Sequence, residues 1–72
     1  MYKLEFEDGH YAIYPKGLYA SHSLAWQAML KDLDFHGIKP YYYRTWFVDK
    51  ENKVECVDYG SHSHFYYITK ED

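Results

Sequence analysis

Seventy-two residues, 22% of them aromatic and with a net charge of −3, describe one domain (residues 1–72) with a single core layer and no deep pocket for a large cofactor. Eight Lys and Arg, dispersed along the chain, provide no basic stripe and disfavour nucleic acid as a partner. Cys56 is the only cysteine, which excludes an internal disulfide or a thiolate zinc site and favours a reducing, cytoplasmic setting.

At this length stability is expected at about 4–11 kcal/mol, from roughly 0.05–0.15 kcal/mol per residue. The N-terminus alternates polar and apolar residues without an apolar h-region, so neither a signal peptide nor a membrane span is expected.

Residues 2–15 read as a hairpin. Tyr2, Leu4 and Phe6 alternate with Lys3, Glu5 and Glu7, the period of a half-buried strand. Asp8-Gly9 predicts a two-residue type I′ turn, which would set Phe6 opposite Tyr11 and Leu4 opposite Ile13. Pro15 and Gly17 are expected to end the second strand.

A helix is predicted from Ser21 or Ser23 to His36, capped by one of the serines. Trp26, Met29, Leu30 and Leu33 recur at i, i+3, i+4 and i+7 as its apolar stripe. Gly37 fits the left-handed position after the helix, with Ile38 closing a Schellman ending and Pro40 preventing continuation. His36 in the last turn offsets Asp32 and Asp34, which sit at the unfavourable end of the dipole.

Residues 41–49 are dense in strand formers. The polar stretch 49–53, with Asn52 suited to a left-handed backbone, predicts a short hairpin loop. Val48 then faces Val54, Trp46 faces Cys56, Arg44 faces Asp58, Phe47 faces Glu55 and Tyr43 faces Tyr59. Gly60-Ser61 breaks the chain before a last strand from His64 to Lys70, and Lys70-Glu71-Asp72 read as a free tail. The order β-β-α-β-β-β predicts an α+β fold: a five-stranded antiparallel sheet with a single helix packed on one face.

The unusual features are ten tyrosines and five histidines. One helix covers one side of a sheet, yet aromatics occupy both sides of strands 41–48 and 54–59. With Trp46 turned toward the helix, the open face holds Tyr41, Tyr43, Phe47 and Tyr59, with Tyr66 or Tyr67 from the last strand. With the opposite pleat it holds Tyr42, Arg44, Trp46 and Asp58. Tyrosine also serves as an ordinary strand former, which would explain the surplus without a binding role. Aromatic rings give large contact area at low entropy cost, and acids at both hairpin tips rim the surface.

The expectation is therefore a non-enzymatic protein-binding module whose partner presents a basic surface; a homodimer joined through open sheet faces is the alternative. In size and in its Tyr-rich acidic surface the chain resembles the short proteins of phages and mobile elements. Many of these act by stoichiometric binding, which implies an inhibitor of a host nucleic-acid-handling or defence protein.

Catalysis and cofactors are not expected. His62-Ser63-His64 could turn two imidazoles to one side, but a metal needs further ligands from His10, His22, His36 or Asp58, and the spacing demands none. Ser61 and Ser63 lack a nucleophile elbow and an oxyanion loop. Cys56, in mid-strand beside Trp46, reads as a buried inert thiol.

Overall fold

In the computed structural model, residues 1–10 and 12–71 are described. They form β1 (Tyr2–Glu7), β2 (Ile13–Tyr19), α1 (His22–Phe35), β3 (Arg44–Asp49), β4 (Val54–Asp58) and β5 (Phe65–Lys70). All strand pairs are antiparallel, in the order β2-β1-β5-β4-β3. The architecture is the expected α+β sheet of five strands with one helix. Centring the sheet on β1 and β5 brings the chain ends together: the Met1 carbonyl accepts from Glu71 N–H at 2.8 Å, and the Met1 ammonium donates to the Glu71 carbonyl at 2.9 Å. Lys70 and Glu71 are thus paired, contrary to the expected free tail, and Asp72 lies outside the described residues.

The first hairpin differs from its expected register. Glu7 faces Ile13, Phe6 faces Tyr14 and Leu4 faces Gly17, with a bulge between Leu4 and Glu5. The predicted Phe6–Tyr11 pair falls on a residue outside the description. Asp8 explains the longer loop: its carboxylate accepts from His10 N–H at 2.9 Å and from the Tyr14 hydroxyl at 3.1 Å, while its own N–H donates to the Ala12 carbonyl. These bonds hold a turn wider than two residues. Strand β2 continues through Pro15 and Gly17 because it is an edge, where a missing N–H and a bulge are tolerated.

Helix α1 starts where the sequence placed it. Ser21 is the N-cap, its hydroxyl accepting from Leu24 N–H at 3.1 Å. It ends in a complete Schellman motif: Ile38 N–H donates to the Leu33 carbonyl and Gly37 N–H to that of Asp34, with Gly37 at φ +72°. The buried stripe is Ala25, Met29 and Leu33, flanked by Trp26 and Ala28; Leu30 is exposed, contrary to expectation. Small Ala25 at i, with Met29 and Leu33 at i+4 and i+8, lets the helix lie close on the sheet.

The second hairpin has the predicted register from Arg44–Asp58 to Phe47–Glu55. It then departs at a bulge at Val48, so Asp49 rather than Val48 faces Val54. The left-handed turn residue is Lys53, at φ +56°, because the Asn52 N–H and side-chain amide both donate to the Asp49 carboxylate.

The core lies between α1 and one side of the sheet: Leu4, Ala25, Met29, Leu33, Val57, Tyr59, Tyr66 and Ile68. Across it runs the row Phe47-Glu55-Ile68-Leu4-Gly17, and beside it Thr45-Val57-Tyr66-Phe6-Tyr14. The opposite side carries Trp46-Cys56-Tyr67-Glu5-Pro15. Trp46 therefore points away from the helix, the second of the two pleats considered above. The helix backbone approaches β1, β5 and β2 but neither β3 nor β4. Half of the sheet is thus covered on one side, and β3 on neither.

Candidate functional site

The eight residues 41–48 are all exposed. They comprise the segment leading into β3 and most of β3, an edge strand. Trp46 and Phe47 point to opposite sides and are 44% and 52% exposed, so neither side of this edge is covered. A strand at an edge presents a row of unpaired N–H and C=O groups that another strand can complete.

Arg44 organises the side away from the helix. Its guanidinium donates to Asp58 at 2.9 Å and lies 5.6 Å from the centre of the Tyr42 ring. Asp58 is buried beneath it and also accepts from Gly60 N–H at 2.8 Å. The Gly60 amide first, and Arg44 second, hold the Asp58 carboxyl below its ordinary range. On the helix side, Tyr43 meets Trp26 edge-on at 5.4 Å, and His22 Nε2 is 2.7 Å from a Glu55 carboxylate oxygen. Below β3, Val57 and Tyr59 add the support of the core they share with Ala25, Met29 and Leu33.

Of the six aromatics expected on an open face, Tyr41, Tyr43 and Phe47 are exposed. Tyr59 and Tyr66 are core residues at 6% and 1% exposure, which corrects their expected placement. The reason is the pleat: Val57, Tyr59 and Tyr66 turn toward α1, where the two tyrosine rings pack 5.6 Å apart. Tyr66 solves the problem of a buried hydroxyl by donating to Asp32 at 2.5 Å. Asp32, at an unfavourable helix end, is held by that bond and by Lys16 and His36 at 3.4 and 3.7 Å. Tyr67 is half-buried on the far side and donates to Glu7 at 2.6 Å. Burial, then acceptance by these carboxylates, pushes both phenols above their ordinary range.

Trp46 was placed in this set only by the alternative pleat, and Val48 was missed. The signal for both lay in the run from Tyr41 to Val48, which is apolar without a helix-sized partner to cover it. Cys56 is buried between Trp46 and Tyr67, and burial, aided by Glu7 and Asp58, pushes its thiol up to about 11.

A cleft of about 620 Å³ lies beside the segment, floored by Phe6, Tyr59 and Tyr66 and walled by Tyr41, Tyr42 and His64. Its volume is within the range of small-ligand sites, larger than the shallow surface expected of so short a chain. His64 stacks on Phe6 at 5.9 Å, and its Nδ1 lies 3.1 and 3.0 Å from the hydroxyls of Ser61 and Ser63. The Ser61 hydroxyl oxygen also accepts from the N–H groups of Ser63 and His64, which builds the turn after Gly60. His62 is exposed and apart from this network. Among the described residues no three His, Cys, Asp or Glu side chains gather as metal ligands, and no helix is long and apolar enough to cross a membrane.

Comparison with known proteins finds no matching family model, curated protein or solved structure.

Proposed function

We propose that this chain is a non-enzymatic protein-binding module that accepts a strand of its partner along β3. The observation that carries this reading is the edge itself: eight consecutive exposed residues, apolar on both sides, next to unpaired backbone groups. Main-chain pairing supplies affinity in this mode, and side-chain contacts on either face supply specificity. Trp46 and Tyr42 are the anchors on one face, Tyr43 and Phe47 on the other, with Tyr41 at the end.

Asp49, Glu51 and Glu55 around the second turn favour a partner with a basic surface. A nucleic-acid-handling or defence protein, inhibited by stoichiometric occupation of its binding surface, fits that chemistry. A single buried thiol suits the reducing cytoplasm, where we place the module.

The test is affinity capture from lysate of the source cell with the wild-type chain and the double variant Trp46→Ser/Phe47→Ser. A partner retained by the former and lost by the latter, with melting temperature nearly unchanged, is the expected result. Collapse of the melting temperature would show that these rings hold the fold, and retention of the partner would remove β3 from the interface.

A further inference from the structure

We infer that, without another partner, β3 pairs antiparallel with β3 of a second copy, joining the two sheets into one; this rests on the reading of β3 as the interaction edge. The sheet has two edges, β2 and β3. Strand β2 is closed to pairing by Pro15, which has no N–H, by the bulge opposite Leu4 and Glu5, and by the charge of Lys16. A β2–β3 contact would repeat head to tail and build a filament. With β2 blocked, the remaining contact is β3 with itself, which is isologous and closes at two copies.

Charge and shape select a register. A two-fold axis normal to the sheet keeps facing side chains on the same side, so the axis passes through a residue. Because Val48 is bulged, Asp49 takes the position after Phe47 in the alternation. An axis at Phe47 would set Trp46 against the partner's Asp49, and an axis at Thr45 would set Arg44 against the partner's Trp46. An axis at Trp46 sets Arg44 against the partner's Asp49, opposite charges directly opposed, and Thr45 against the partner's Phe47. Symmetry makes the Arg44–Asp49 contact twice, which favours this register. The strand's two charged residues, Arg44 and Asp49, are of opposite sign, so two copies meet without net repulsion.

The same edge sets the strength. Eight exposed residues a side fall well below the roughly 20–30 of a standard interface, so the pairing should be weak and concentration-dependent. A protein partner that takes β3 must compete with this pairing.

Sedimentation equilibrium of the full chain from about 5 μM to about 1 mM tests the inference, because mass action shifts such an equilibrium across that span. Monomer should give way to dimer with no larger species. Phe47→Lys should remain monomeric throughout while its melting temperature barely moves, and Asp49→Asn should raise the dissociation constant several-fold, since it removes the charge facing the partner's Arg44 at both symmetric positions. A wild-type monomer at the highest concentration, species larger than the dimer, or a dimer that survives both Phe47→Lys and Trp46→Lys would overturn the proposal. An unchanged dissociation constant in Asp49→Asn would overturn the register. A monomeric wild type whose captured partner is still lost on Phe47→Lys would overturn the dimer and leave the binding module standing; loss of neither would take down both.

Discussion

The two edges of this sheet are finished in opposite ways. Strand β2 carries a proline, a bulge, a glycine at φ +122° and a lysine, and α1 packs beside it. Strand β3 has one bulge at its far end, no proline or lysine, and an exposed aromatic on each side. Natural sheets blunt their edges against unwanted pairing. This chain blunts one edge and leaves the other bare, which is the arrangement the proposed use of β3 requires.

The largest effects should come from the covered half. Met29→Ala should cost about 2–5 kcal/mol, much of the total stability of so small a domain. Chemical denaturation would register it as a large fall in midpoint; a loss as small as that of Trp46→Ser would mean the two halves are equally loose. Next comes Gly17→Ala, at about 1–3 kcal/mol. Gly17 has a backbone that L side chains rarely adopt, and a Cβ there would stand 2.9 Å from the Tyr19 hydroxyl oxygen. If this variant matches the wild type in melting temperature, the β2 edge is not built as described.

Titration sharpens the contrast from both ends of the pH scale. Tyr66 and Tyr67 hold their protons above the ordinary value near 10, so the stability they confer is complete below about pH 10 and lost as pH rises beyond it. Tyrosinate absorbance should show two phenols ionising only as the fold opens in alkali. Asp58 has the opposite sign: its folded value is depressed, so its contribution is complete above about pH 4 and lost as pH falls further. Arg44→Gln should lower the melting temperature slightly at pH 7, and the two curves should converge in acid. Equal differences at pH 7 and pH 2 would show that Arg44 acts by packing rather than through Asp58.

Local signals in the sequence were reliable where one residue type has one physical use. Ser21, Gly37 and Ile38 define the helix ends, and the Arg44–Asp58 and Trp46–Cys56 pairs follow from the composition around the second turn. The first turn misled because Asp8 acts through its side chain, bonding His10 and Tyr14, rather than through a tight backbone turn. Pro15 and Gly17 signal a strand's end only if the strand is central, and the order of strands is a long-range property. The same long-range choice placed Tyr59 and Tyr66 in the core: alternation identifies which residues share a side, while the packing of Ala25, Met29 and Leu33 decides which side is covered. Tyr41, Tyr43 and Phe47 were expected on an open face only with Trp46 turned toward the helix, and the structure reverses that pleat. Tyr43 and Phe47 lie on the helix's side yet stay exposed because the helix does not reach β3.

Equivalent lysine substitutions at the two edges test the central claim most directly. Leu18→Lys on β2 and Phe47→Lys on β3 both alter side chains more than half exposed, so each should change stability by no more than about 0.5 kcal/mol. Capture of the cellular partner should persist with Leu18→Lys and vanish with Phe47→Lys. Capture that survives Phe47→Lys, or that Leu18→Lys abolishes, would contradict the assignment of β3 as the working edge.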